Sequence, residues 1–157
     1  MRSRAHGSPD PDGANRALQG VHALQGFRPM IFSGKPYAEG RTVIPLRMSL
    51  YLQALAFAQG MTPRALHVDG AARFLDDRPW ERGLAWRNGR RPETGDPEWA
   101  AVTVRLPRDL ADRLDLVAHR ESVHPADLLY TMLFWYAWAL YPPLHEQERR
   151  RRLLQGE

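Results

Sequence analysis

The sequence contains no cysteine. That excludes a disulfide framework, thiolate metal sites and cysteine nucleophiles together. Lysine is almost as scarce: Lys35 is the single lysine among 22 basic residues, so nearly all positive charge is guanidinium. Long apolar runs are missing too. The longest, Leu128 to Tyr141, is interrupted by Thr131 and stopped by Pro142-Pro143, short of the roughly 20 residues that cross a bilayer. The basic start Met1-Arg2-Ser3-Arg4 leads into Asp10-Pro11-Asp12-Gly13 and not into an apolar stretch, so no secretory signal is expected and a cytoplasmic location is. No glycine-rich phosphate loop, nucleophile elbow or paired-carboxylate pattern stands out. The expectation is a protein that is not an enzyme and uses no cofactor. His119-x-Glu121-x-x-His124 invites a metal reading, but a turn expected at Ser122 and Val123 separates the ligands, so no metal site is assigned.

What is present is enough for one ordinary domain, or two very small ones sharing a core: 157 residues, 43% hydrophobic and 25% charged. The net charge of +4 and a pI near 9.9 admit an anionic partner. The excess is concentrated in residues 41–75, where Arg41, Arg47, Arg64 and Arg73 face one acid, Asp69. Arginine suits bidentate contacts to phosphate and guanine.

Residues 1–36 are rich in Gly, Pro and Ser and read as a flexible arm, with a helical turn at most over Ala17 to Leu24. Residues 37–75 read as strand, helix, turn, helix. Arg41-Thr42-Val43-Ile44 is β-prone and ends at Pro45; Met48, Leu52, Leu55 and Ala56 then recur at helical spacing until Gly60. An alternative strand over Ile44 to Met48, with Ser49 as N-cap, stays open. Thr62-Pro63 is an N-cap followed by proline at the first helical position. Residues 76–99 form a linker whose Trp80, Trp86 and Trp99 are expected to pack partly on the core.

The first pattern then returns over residues 100–143. Ala101 to Leu106 alternates polar and apolar before Pro107, Leu110, Leu114, Val117 and Ala118 share a helical face, and Val123-His124-Pro125 opens a nearly all-round apolar helix. Sliding one half over the other places Pro45 on Pro107, Met48 on Leu110, Leu52 on Leu114, Met61 on Val123 and Pro63 on Pro125. Residues 144–157 form a charged tail, with Glu148-Arg149-Arg150-Arg151-Arg152 as a solvated helix end.

A lone short strand before two helices must find a second strand to satisfy its backbone. With Thr103-Val104-Arg105-Leu106-Pro107-Arg108-Asp109 as the strand-to-helix passage, the second unit resembles the ribbon-helix-helix superfamily of Arc/MetJ-type DNA-binding proteins. The tandem arrangement resembles a single-chain pseudo-dimer of the TraY type. The resemblance implies a mainly α fold with a short two-stranded antiparallel ribbon, built from two intramolecularly paired strand-helix-helix units. It further implies sequence-specific binding of double-stranded DNA by the ribbon in the major groove, as in a transcriptional repressor or a plasmid or mobile-element protein.

In that family, strand side chains facing away from the core touch base edges. Alternation puts Thr42, Ile44, Val102, Val104 and Leu106 inward. It leaves Arg41, Val43, Ala101, Thr103 and Arg105 as candidate base contacts. The family also anchors phosphates at the start of each second helix, which here implies Met61, Thr62 and Arg64 in the first unit and Val123 and His124 in the second.

Two rivals stand beside this reading. One is a helix-turn-helix over Ala54 to Phe74 that would place Arg64 or His67 in the groove. The other is a protein-interaction module, such as an antitoxin or accessory protein. It would use Tyr130, Phe134, Trp135, Trp138 and Tyr141, whose number exceeds what a small core hides, as a surface for a partner or for self-association.

Overall fold

Four prolines divide the chain. Pro45 and Pro107 each end a strand at extended ψ, 136° and 143°, and hand it directly to a helix. Pro63 and Pro125 open helices at the position where a missing N–H costs nothing. The structure, a computed structural model, describes residues 27–32, 35–91 and 96–156. Its strands are β1 (Phe27–Phe32), β2 (Lys35–Pro45) and β3 (Trp99–Pro107). Its α-helices are α1 (Leu46–Ala58), α2 (Pro63–Asp77), α3 (Arg108–Arg120), α4 (Pro125–Trp135) and α5 (Leu144–Leu154). A 3-10 turn covers Pro79–Arg82, and a π-helical turn, Tyr136–Leu140, continues α4.

The expected two-stranded ribbon made by two strand-helix-helix units is not what forms. The described residues build one antiparallel sheet of three strands in the order β1-β2-β3, with five α-helices. The additional strand, β1, lies in the segment read as a flexible arm. It pairs with the first half of β2, from Phe27↔Gly40 to Phe32↔Lys35. Pro29 hid it from sequence patterning, since proline removes a ladder donor; β1 is an edge strand, where that loss is tolerated. The paired length of β2 also exceeds the expectation, running from Tyr37↔Pro107 to Pro45↔Trp99 against β3. The alternative strand over Ile44 to Met48 is excluded, because helix begins at Leu46. The rest of the expected arm, residues 1–26, lies outside the described residues.

One face of the sheet carries the core. Ala38, Thr42, Ile44, Val104 and Leu106 are buried there, beneath Leu66 and Phe74 of α2 and Leu128, Leu129, Met132 and Leu133 of α4. Thr42 is polar but satisfied, its hydroxyl donating to the Ala126 carbonyl at 2.7 Å. The linker is packed: Trp80 and Trp86 lie 5.0 and 6.3 Å from the Phe74 ring, and Trp99 lies 6.4 Å from Tyr130.

Gly89 fastens the linker to the core. Its N–H donates to Asp127 Oδ1 at 2.9 Å and its carbonyl accepts from Val43 N at 3.0 Å. A Cβ here would sit 2.2 Å from the Ala126 carbonyl oxygen and 2.3 Å from Thr42 Oγ1, so only glycine allows the approach.

The two inter-helix turns differ in their chemistry. After α1 the left-handed residue is Gly60, at φ 67°. After α3 it is Ser122, at φ 53°, a conformation that a side chain disfavours.

The charged tail is also more structured than a solvated end. In α5 the buried Glu146 carboxylate accepts from Arg149 and Arg150, which hold it well below the usual carboxylate range, and Arg150 also donates to the Trp138 carbonyl at 2.9 Å.

Candidate nucleic-acid interface

The alternation that buries Thr42, Ile44, Val104 and Leu106 turns their neighbours to the opposite face of the sheet. Arg41, Ala101 and Arg105 are exposed there, and Val43 and Thr103 are half-buried. The register places Arg41 opposite Thr103 and Val43 opposite Ala101. All five candidate base contacts therefore share one surface. Two arginines stand diagonally across a patch of small side chains. Past Gly40, β1 no longer accompanies β2.

The same register adds two residues that the sequence reading missed. Glu39 lies opposite Arg105 on one side and Arg28 on the other. Its carboxylate is 3.3 Å from Arg105 Nε. Reading β2 as starting at Arg41 left Glu39 outside the strand; extending the alternation two residues back would have placed it on the outward face. Arg28 had no signal, because its strand had none.

The expected phosphate anchors fall at two unlike helix starts. At α2, Thr62 Oγ1 accepts from Ala65 N at 3.1 Å, and Arg64 lies over the Tyr37 ring at 4.2 Å. That first turn contains no acid. At α4, His124 is exposed and its Nδ1 accepts from Ala126 N at 3.1 Å. Burial, followed by the Arg90 charge, lowers the His124 pKa. The first turn of α4 already holds an anion: the largely buried Asp127 carboxylate, paired with Arg90 at 3.2 Å. Helix dipole and backbone donors favour a further anion more at α2 than at α4. Met61 and Val123 are half-buried beside these starts.

Of the aromatic set, Tyr130 and Trp135 are buried core residues, whereas Phe134, Trp138 and Tyr141 are partly exposed. His67, which the helix-turn-helix rival would put in a groove, is buried, and that burial lowers its pKa to about 4. Exposed apolar side chains lie on α1, where Leu46, Leu50 and Phe57 are 39%, 54% and 88% exposed, and on α5, where Leu144, Leu153 and Leu154 are 82%, 63% and 89% exposed.

Among the described residues no group of three or more His, Asp and Glu is placed to hold a metal ion, and no helix is long and apolar enough to cross a membrane. Comparison with protein-family models, curated proteins and solved structures finds no match.

Proposed function

We propose that the chain binds double-stranded DNA through the open face of its sheet and acts as a transcriptional regulator. The observation that supports this most is the pair of outward guanidiniums, Arg41 and Arg105, on neighbouring strands of a sheet whose other face carries the core. Strands about 5 Å apart fit a major groove about 12 Å wide. Arg41 and Arg105 have the chemistry for guanine O6 and N7, and Thr103 and Val43 for thymine methyl groups. Arg28 adds a cation at the edge, and the α2 start with Thr62 and Arg64 is the end suited to a phosphate.

The test is selection of bound fragments from a random duplex pool, followed by sequencing and a salt titration of the enriched site. The reading expects an enriched motif and an affinity that falls steeply with salt. No DNA retained at low salt would overturn it. That outcome would favour a second reading, a protein-interaction module, which the exposed Leu46, Leu50 and Phe57 on α1 support.

A further inference from the structure

Beside the sheet end where Pro45 pairs with Trp99, a groove of about 740 Å³ opens between α1, the end of α4 with its π-helical turn, and the start of α5. One wall is a stacked series. The Arg87 guanidinium lies 3.5 Å above the Phe134 ring, Phe134 stacks on Trp138 at 6.3 Å and 20°, and Trp138 meets the His145 ring edge-on at 6.0 Å. The facing wall carries Arg47, Met48 and Tyr51.

These walls are fixed from behind. Arg87 N donates to the buried Thr131 hydroxyl at 2.8 Å, the Trp138 carbonyl accepts from Arg150, and the Tyr51 hydroxyl donates to the Tyr141 carbonyl. The π-helical turn sets Trp138 into the groove wall, and such turns recur at functional sites.

Charge identifies the kind of occupant. No carboxylate lines the groove, and among the described residues none pairs with Arg47 or Arg87. By contrast, Arg90 in the linker is matched by Asp127 and Arg105 on the sheet by Glu39. A neutral apolar ligand or an apolar peptide would desolvate both guanidiniums without replacing their water. A flat ring with an anionic substituent satisfies both halves of the lining. The volume is that of a small-molecule site.

We infer that this groove binds a small aromatic organic anion, its ring against Phe134 and Trp138 and its carboxylate, sulfonate or phosphate taken by Arg47 and Arg87. The site is separate from the open sheet face and does not depend on the DNA reading.

The test uses the full chain and two fluorescent probes with the same ring system, 1-anilinonaphthalene-8-sulfonate and the neutral N-phenyl-1-naphthylamine. The expected result is one-to-one binding of the sulfonate, at least tenfold tighter than the neutral probe. Arg47→Ala and Arg87→Ala should each weaken the sulfonate about tenfold and leave the neutral probe unchanged, while Trp138→Leu weakens both. Arg87→Lys should recover part of the loss, which a folding defect would not allow, and unchanged melting temperatures complete that control.

Equal affinity for the two probes, or sulfonate binding indifferent to both arginine variants, would overturn the inference. Loss of the signal in Phe57→Ser would instead assign the binding to the exposed face of α1. Displacement of the sulfonate by a short single-stranded oligonucleotide, but not by 2-naphthoate, would assign the groove to nucleic acid. Neither of the last two outcomes is compatible with the inference.

Discussion

Glu39 Oε2 lies 3.3 Å from Arg105 Nε across the β2–β3 ladder, so the arginine on which the DNA reading leans most is already engaged by a carboxylate. Both groups keep access to solvent, at 51% for the Arg105 side chain and 29% for Glu39. Such a pair contributes at most about 1 kcal/mol to folding. Its larger effect is on binding, because a phosphate or guanine must compete with Glu39 for the same guanidinium.

Glu39→Gln should therefore tighten DNA binding, by up to about fivefold on the estimate that one exposed pair is worth up to about 1 kcal/mol, and steepen its salt dependence. Arg105→Ala should change stability by no more than about 1 kcal/mol, the upper worth of its pair with Glu39. On a specific site it should cost about 1–3 kcal/mol, with far less on random duplex. Titrations of both variants on both duplexes over a salt series check this. Equal losses on the two duplexes in Arg105→Ala would make the contact a phosphate contact.

Gly89→Ala should be among the most damaging single-methyl changes in the chain. The new Cβ meets the Ala126 carbonyl oxygen and Thr42 Oγ1, and the first of these is backbone that cannot rotate away. Overpacking of this kind costs about 3 kcal/mol. Urea denaturation gives the value, with Asn88→Ala, which removes only the exposed bond that Asn88 Oδ1 accepts from Arg90 N at 3.0 Å, as the milder comparison.

Ser122→Gly should stabilise the protein by up to about 1 kcal/mol, because Ser122 holds a left-handed φ of 53° where glycine bears no steric cost. Thr62→Ala should act oppositely, losing about 1 kcal/mol with the bond that Thr62 Oγ1 accepts from Ala65 N. A double variant close to wild type in melting temperature would show that the two turns act independently.

The buried His67 and the half-buried Asp115 should give the stability profile opposing slopes with pH. His67 has its pKa lowered by burial from 6.5 to about 4. Between those values only the unfolded chain takes the proton, so up to about 3 kcal/mol of stability present above pH 6.5 is lost as pH falls toward 4. Asp115 behaves in the reverse sense. Burial, then the neighbouring Asp112, raises its pKa from 3.8 to about 7, and its Oδ1 has no hydrogen-bond partner. Its contribution is complete below 3.8 and is lost as pH rises through 7. His67→Leu should remove the acid-side loss, and Asp115→Asn should stabilise the protein at pH 8 and change little at pH 4. Denaturation curves at pH 4, 6 and 8 test both signs.

The sequence showed most where local stereochemistry decides the outcome. Pro45, Pro107, Thr62-Pro63 and His124-Pro125 mark helix starts in the structure, and alternation around Val104 and Leu106 correctly separated the two faces of β3. What escaped the reading depends on distant partners. β1 exists because β2 offers it an edge, and its Pro29 argued locally against any strand. Gly89 looked like one more linker glycine until Asp127, Val43 and Ala126 converged on it. Glu39 needed the register of β2 on β3 before its opposition to Arg105 could be known.

That register also sets the order of events in folding. Tyr37 and Pro107, or Pro45 and Trp99, meet only after α1, α2 and the tryptophan linker have been brought inside a single loop. Closing so long a loop costs conformational entropy before any strand contact repays it, whereas the helices form from neighbours in the chain. The β2–β3 ladder is thus expected to be the late contact in folding, after the helices. The surface proposed to meet DNA comes into existence only in that final step, so a partly folded chain would carry its arginines without the spacing that makes them legible to a duplex.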